Sequence, residues 1–333
     1  MVDRAHKPSA ISASSTGPQP QVDISADNSK VTAKLPTGDS VEVLLYGATV
    51  ISWKSSGQEN LWLSQKAVLD GSKAVRGGIP IVFPVFGPPP QNHATSSLPQ
   101  HGFARSTRWE YLGKSTSESG ALSRGGDDSV KLDFGLSQSQ LSPESRKAWP
   151  YDFSLVYSVT LGKDGLQTML NVRNEGRESF EFQMLLHSYF AVKVAYRGRW
   201  AAADGVEQNI SRVSISGLAG TSYIDKVLDA TEHSSSSPTL SITGETDRVY
   251  KSLKQDTTSI LQDDKPHLDV VRDNLTDTVV WNPWKEKAKA MGDFAPDEGY
   301  KNMVCVEVGS VDGWQKLEGG DTFEGGQLVK SHI

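Results

Sequence analysis

Apolar residues recur at every second position over long stretches of this chain, and that period admits strands and little else. Within residues 41–53 the odd positions Val41, Val43, Leu45, Ile51 and Trp53 share one face. Phe153, Leu155, Tyr157, Val159 and Leu161 repeat the pattern, and Leu166, Thr168, Leu170 and Val172 continue it beyond Gly162-Lys163-Asp164-Gly165. Two such runs joined by a short connection containing Gly predict a hairpin. Further strands are predicted over 180–190, 278–281 and 302–308. Residues 136–147 and 284–290 are short helices at most. The class that follows is all-β: one large antiparallel β-sandwich whose two sheets bury an extended core.

Residues 1–28, rich in Ser, Ala and Pro, are expected to be a disordered tail, and 29–333 a single domain. The polar stretches 87–99, 115–128 and 233–246, and the long segment 194–205, read as loops inside that domain, because strand patterning resumes beside them. No apolar run approaches the roughly 18 residues that a membrane-spanning helix needs. Cys305 is the single cysteine, so neither an intramolecular disulfide nor a thiolate metal cluster can form, which fits a reducing, cytoplasmic setting. A formal net charge of −6 argues against general nucleic-acid binding, and any anionic ligand must be held by a local cluster of cations. The seven histidines show no metal-ligand spacing such as His-Glu-x-x-His, so no metal is expected.

Four segments carry polar residues that packing alone explains poorly. Arg76 precedes Gly77 and Gly78, which permit close backbone approach, and then an apolar run rich in Pro. It either binds an anion or caps a loop. Gln100, His101 and Arg105 crowd neutral and charged donors into one short stretch, with Arg108 beyond. This is either a binding loop or a solvated one. In 180–190, alternation separates Phe180, Phe182, Met184, Leu186 and Phe190 from Gln183, Leu185, His187 and Tyr189. A mixed polar and aromatic face suits a sugar, although a lone strand His is more often structural. In Met303-Val-Cys-Val-Glu307-Val-Gly309, Cys305, Glu307 and Gly309 share a face. Glu307 interrupts an otherwise apolar strand, so it meets a cation or donor, or its pKa rises and makes it a general base.

At these residues the chain resembles the aldose 1-epimerase, or galactose mutarotase-like, superfamily and, within it, the hexose-6-phosphate mutarotase (glucose-6-phosphate 1-epimerase) family. The words that carry the resemblance are Gly47-Ala-Thr-Val-Ile-Ser-Trp53, Leu61-Trp-Leu-Ser64, Arg76-Gly-Gly-Ile-Pro-Ile-Val-Phe-Pro84, Gln100-His-Gly-Phe-Ala-Arg105, Leu186-His-Ser188 and Val306-Glu-Val-Gly309. The resemblance implies a supersandwich domain that interconverts the α and β anomers of a hexose 6-phosphate, chiefly glucose 6-phosphate, without a cofactor. It implies that His187 is the general acid and Glu307 the general base. It further implies that Arg76, Gln100, Arg105 and Asp225 bind substrate, with His101 in a supporting role and Lys73 and Arg108 as phosphate helpers. A nearby carboxylate would keep His187 charged near neutrality. The partner implied is a small hexose phosphate acting on a monomer, with neither nucleic acid nor membrane involved. Two other readings are an aldose 1-epimerase of free sugars and a non-catalytic carbohydrate-binding sandwich. The latter expects His187 and Glu307 to lie far apart or on opposite faces.

Overall fold

The computed structural model describes residues 18–115, 129–192 and 210–332. The alternating runs become strands, as their spacing predicts. Phe153–Gly162 and Gly165–Asn174 form the expected hairpin, with Gly162 opposite Gly165. Gly165 is required there: at φ +131° a Cβ would stand 2.0 Å from the Val329 carbonyl oxygen.

Three antiparallel sheets are present among the described residues. The largest, of nine strands, runs in the order Thr239–Ser241, Val213–Ser216, Thr257–Gln262, Lys265–Asp273, Thr322–Ser331, Gly165–Asn174, Phe153–Gly162, Ser129–Ser137 and Glu110–Ser115. The second runs Thr231–Ser234, Ser222–Asp225, Thr246–Tyr250, Asp277–Asn282, Met303–Leu317, Phe180–Leu186 and Ile81–Val82, with Tyr189–Ala191 also pairing with Met303–Leu317. A five-stranded sheet from Gln21–Ile24 to Gln58–Glu59 joins them through bridges such as Val50 to Ile79 and Leu61 to Phe190.

The first two sheets close on one core. Phe182 of one meets Phe323 of the other with ring centroids 5.6 Å apart, and Val304, Val306 and Val308 point into the same cluster. The opposite face of the second sheet is therefore free to carry the chemistry.

Three boundaries differ from the sequence expectation. Gln21–Ile24, inside the expected 1–28 tail, is a strand paired with Lys30–Lys34. Its side chains are mostly exposed, so only backbone pairing announces it. The expected loop 233–246 likewise carries Thr239–Ser241 and the end of Thr231–Ser234 as edge strands. Within 136–147 the helical residues are a 3-10 turn at Gln138–Gln140 and the start of an α-helix at Pro143–Ala148, because the preceding strand runs on to Ser137. Trp284–Ala290 is helical as expected. All of 115–128 after Ser115, the segment 194–205 and residues 1–17 of the N-terminal tail lie outside the described residues.

Candidate active site

Strand pairing places an acid and a base opposite each other. Leu186 faces Val308 and Tyr189 faces Cys305, so the register carried through the break between the two strand pieces sets His187 across from Glu307. At the break the His187 backbone N–H turns away to donate to the Pro80 carbonyl at 3.0 Å. His187 Nδ1 then lies 3.3 Å from Glu307 Oε1. Both residues are buried, and among the described residues neither His187 Nδ1 nor Glu307 Oε2 has a hydrogen-bond partner.

Burial governs their protonation. It pushes the Glu307 carboxyl well above the usual carboxylate range, with Asp247 adding to the effect and Lys226 and Arg105 opposing it. It also pushes His187 well below its usual value, aided by His101, Arg105 and Arg76. The expectation that a carboxylate keeps His187 charged therefore does not hold: desolvation outweighs the single ion pair. The direction for the pair is a neutral carboxyl beside a neutral imidazole, with no net charge.

Aromatic rings fix the imidazole. Tyr189 stacks under His187 with centroids 4.6 Å apart at 8°, and Trp281 meets it edge-on at 6.0 Å. The Tyr189 hydroxyl accepts from Arg76 Nη1 at 3.1 Å, while Arg76 Nε donates to Asp293 at 3.2 Å. These partners, Tyr189 first, hold the Arg76 guanidinium above its ordinary pKa. The Arg76 loop sits close to its neighbours because Gly77 and Gly78 have no side chain: a Cβ at either would fall 2.5 Å from the Trp62 oxygen or 2.1 Å from that of Val50.

The second cation arrives from the 100–105 segment. Gly102, at φ +70°, lies so near Phe83 that a Cβ would stand 2.1 Å from its carbonyl oxygen, and this tight turn presents His101 and Arg105. Arg105 Nη2 donates to the Gln100 carbonyl at 3.1 Å, while its buried Nε has no hydrogen-bond partner among the described residues. His101 Nδ1 accepts from the Gly87 N–H at 3.3 Å. Burial first, then Arg105, Lys226 and Arg76, bring its pKa down to about 3, so His101 is a neutral imidazole at physiological pH.

The aldose 1-epimerase family profile matches residues 29–330. This chain belongs to the aldose 1-epimerase family. A protein of Escherichia coli strain K12, provisionally named glucose-6-phosphate 1-epimerase, is 36% identical over 276 residues, spanning 82% of this chain and 80% of that protein. One from Cenchrus ciliaris with the same provisional name is 33% identical over 288 residues, spanning 85% and 79%. A solved Salmonella typhimurium structure, provisionally described as a mutarotase, superposes with a TM-score of 0.72 at 30% identity, covering 91% of this chain and 90% of that one. The supersandwich described above is thus the galactose mutarotase-like fold.

Within this aldose 1-epimerase framework the structure brings together His187, Glu307, Arg76, Arg105 and His101, with the exposed Gln100 at the rim. It does not bring Asp225 to them. Asp225 pairs with Arg248, Arg248 with Val280 and Val280 with Val306, which sets Asp225 on the face opposite Glu307. There it accepts from Arg248 Nε at 2.9 Å and from the Val227 N–H at 3.1 Å. Asp247 takes the inward place, since it pairs with Trp281 and Trp281 with Cys305. Lys226 joins it, 3.8 Å from Asp247 and 4.0 Å from the Phe86 ring centroid. Arg108 is turned away to the Asn28 carbonyl, and Lys73 is exposed.

Sequence reasoning missed Asp293, Asp247 and Trp281. Alternation within 246–250 and 277–282 could have found the last two. Nothing local marks Asp293, which is carried in by Ser64 Oγ donating to its backbone carbonyl at 2.7 Å. His187, Cys305 and Glu307 also place one nitrogen, one sulfur and one oxygen donor within 4.8 Å of one another.

Proposed function

We propose that this protein interconverts the α and β anomers of a hexose 6-phosphate, with glucose 6-phosphate the chief substrate, as a monomer in the cytoplasm. The observation that carries the reading is the His187–Glu307 pair at 3.3 Å on a face that also holds Arg76 and Arg105. Ring opening removes the C1 hydroxyl proton and delivers one to the ring oxygen, and closure reverses both transfers. A buried pair in which the Glu307 carboxyl proton passes to His187 as substrate binds suits this, because one member then accepts while the other donates and the pair's charge is unchanged. Glu307 takes the hydroxyl proton in its carboxylate form and His187 donates; Arg105 and Lys226, which already favour the carboxylate, assist the separation. Tyr189 and Trp281 wall the imidazole and offer the sugar's C–H surface an aromatic partner.

A phosphate carrying about −1.5 to −2 charges at pH 7 calls for fixed guanidinium forks. Arg76 is held by Tyr189 and Asp293, and Arg105 keeps a buried Nε without a partner among the described residues. That pairing favours a phosphorylated over a free sugar. The non-catalytic reading loses its ground, since its condition was a separated or opposed His187 and Glu307.

NMR exchange spectroscopy on glucose 6-phosphate and on glucose tests the proposal. Glu307→Gln is expected to lower turnover by about 10²- to 10⁴-fold. Arg105→Ala is expected to raise KM for glucose 6-phosphate about 10- to 100-fold, as loss of a charge-assisted hydrogen bond does, with glucose little affected. Full turnover in Glu307→Gln would overturn the base assignment, and equal losses on both sugars in Arg105→Ala would overturn the phosphate role.

A further inference from the structure

We propose that His187, Cys305 and Glu307 form a binding site for a thiophilic divalent cation of the zinc type, and that this cation silences the enzyme by occupying both proton-transfer groups. The donors are imidazole nitrogen, thiol sulfur and carboxyl oxygen, all within 4.8 Å of one another and all on buried residues. This mixed set suits Zn²⁺ and is a poor match for Mg²⁺ or Ca²⁺, which want oxygen alone.

The arrangement follows from the strands. Cys305 and Glu307 are two residues apart on one strand and so share a face, and His187 stands across from Glu307 in the neighbouring strand's register. Zinc bonds of about 2.0–2.3 Å in a tetrahedron require ligand atoms roughly 3.3–3.8 Å apart. The His187–Glu307 separation of 3.3 Å already meets that, and the Cys305 sulfur lies within 4.8 Å of both. In addition, His187 Nδ1 and the second Glu307 oxygen, Oε2, are buried polar atoms lacking a hydrogen-bond partner among the described residues, and a metal held by Nδ1 and by both carboxylate oxygens satisfies them.

The stacked Tyr189 ring fixes the imidazole plane. Charge is compatible: the thiolate and carboxylate formed on binding, each releasing one proton to solvent, neutralise the dication, while Asp293 occupies Arg76. The fourth position is left to water, so substrate and cation compete for the same two side chains.

The silencing rests on the proton roles proposed above, whereas the binding does not, and separate readouts keep the two apart. The full chain, stripped with a chelator, is titrated with ZnCl₂ by calorimetry and with CoCl₂ by near-ultraviolet absorption. One zinc per chain and a thiolate-to-cobalt charge-transfer band are expected. Cys305→Ser and Cys305→Ala, checked for native circular dichroism, should lose the band and bind zinc at least about 10-fold more weakly. Zinc should abolish exchange in the wild type reversibly on chelation, and glucose 6-phosphate should weaken its binding. Absence of the band in the wild type, or equal zinc affinity in the cysteine variants, would overturn the site. Bound zinc with undiminished exchange would overturn the silencing.

Discussion

His101 shows how burial turns a titratable side chain into a fixed donor or acceptor. Its pKa is brought down to about 3 by burial and three neighbouring cations, against about 6.5 in an unfolded chain. Between those values the unfolded state binds a proton that the native state refuses, so stability rises with pH across the window. The full benefit is present above pH 6.5, and it is lost as pH falls toward 3. His101→Gln is expected to flatten the stability–pH curve there by up to about 1.4 kcal/mol per pH unit, read from urea midpoints at pH 4, 5 and 6. Asp225 and Asp247 offer a paired contrast. Asp225→Asn breaks a contact with the partly exposed Arg248, and about 1–2 kcal/mol of stability is expected to go with kcat/KM nearly intact. Asp247→Asn removes a carboxyl whose charge raises the Glu307 pKa, so the alkaline shift of the pH–rate profile, rather than stability, is expected to shrink. An unchanged profile in Asp247→Asn would show that the two carboxyls are uncoupled.

The elements divide into those that propagate a pattern and those that interrupt one. Phe180–Leu186 and the part of Met303–Leu317 before its register shift propagate alternation, so the facing of Glu307 was legible from residue spacing alone. The break between Leu186 and Tyr189 was not, because the continuous run 180–190 reads as one strand. Its cause is the His187 N–H turning to Pro80, a contact with a segment a hundred residues earlier. Turns depend on such contacts too. Gly102→Ala adds a left-handed penalty of about 1–2 kcal/mol and a Cβ 2.1 Å from the Phe83 oxygen. A stability loss above about 2 kcal/mol is expected, together with a fall in kcat/KM as His101 and Arg105 shift. A variant of wild-type stability would mean that the turn relaxes freely.

On the scale of the whole molecule, one core ties the two large sheets together and holds the site rigid. Trp149 is its hub, with ring centroids 5.0 Å from Phe180, 5.4 Å from Phe153 and 5.5 Å from Phe83. Trp149→Ala is expected to cost about 3–5 kcal/mol, measured by chemical denaturation. Coincident loss of secondary structure and mutarotase activity is expected, since Phe83 also braces the turn bearing Arg105. The sequence alone determined the all-β class, the hairpin at 162–165 and the sharing of one face by Cys305 and Glu307, because those depend on local alternation and turn chemistry. It could not decide that Asp247 rather than Asp225 looks toward Glu307, that Asp293 braces Arg76, or that burial holds both His187 and Glu307 neutral. Each depends on strand register, on contacts between distant segments, or on the dielectric inside the closed molecule. Such properties exist only once the sheets have paired and excluded water.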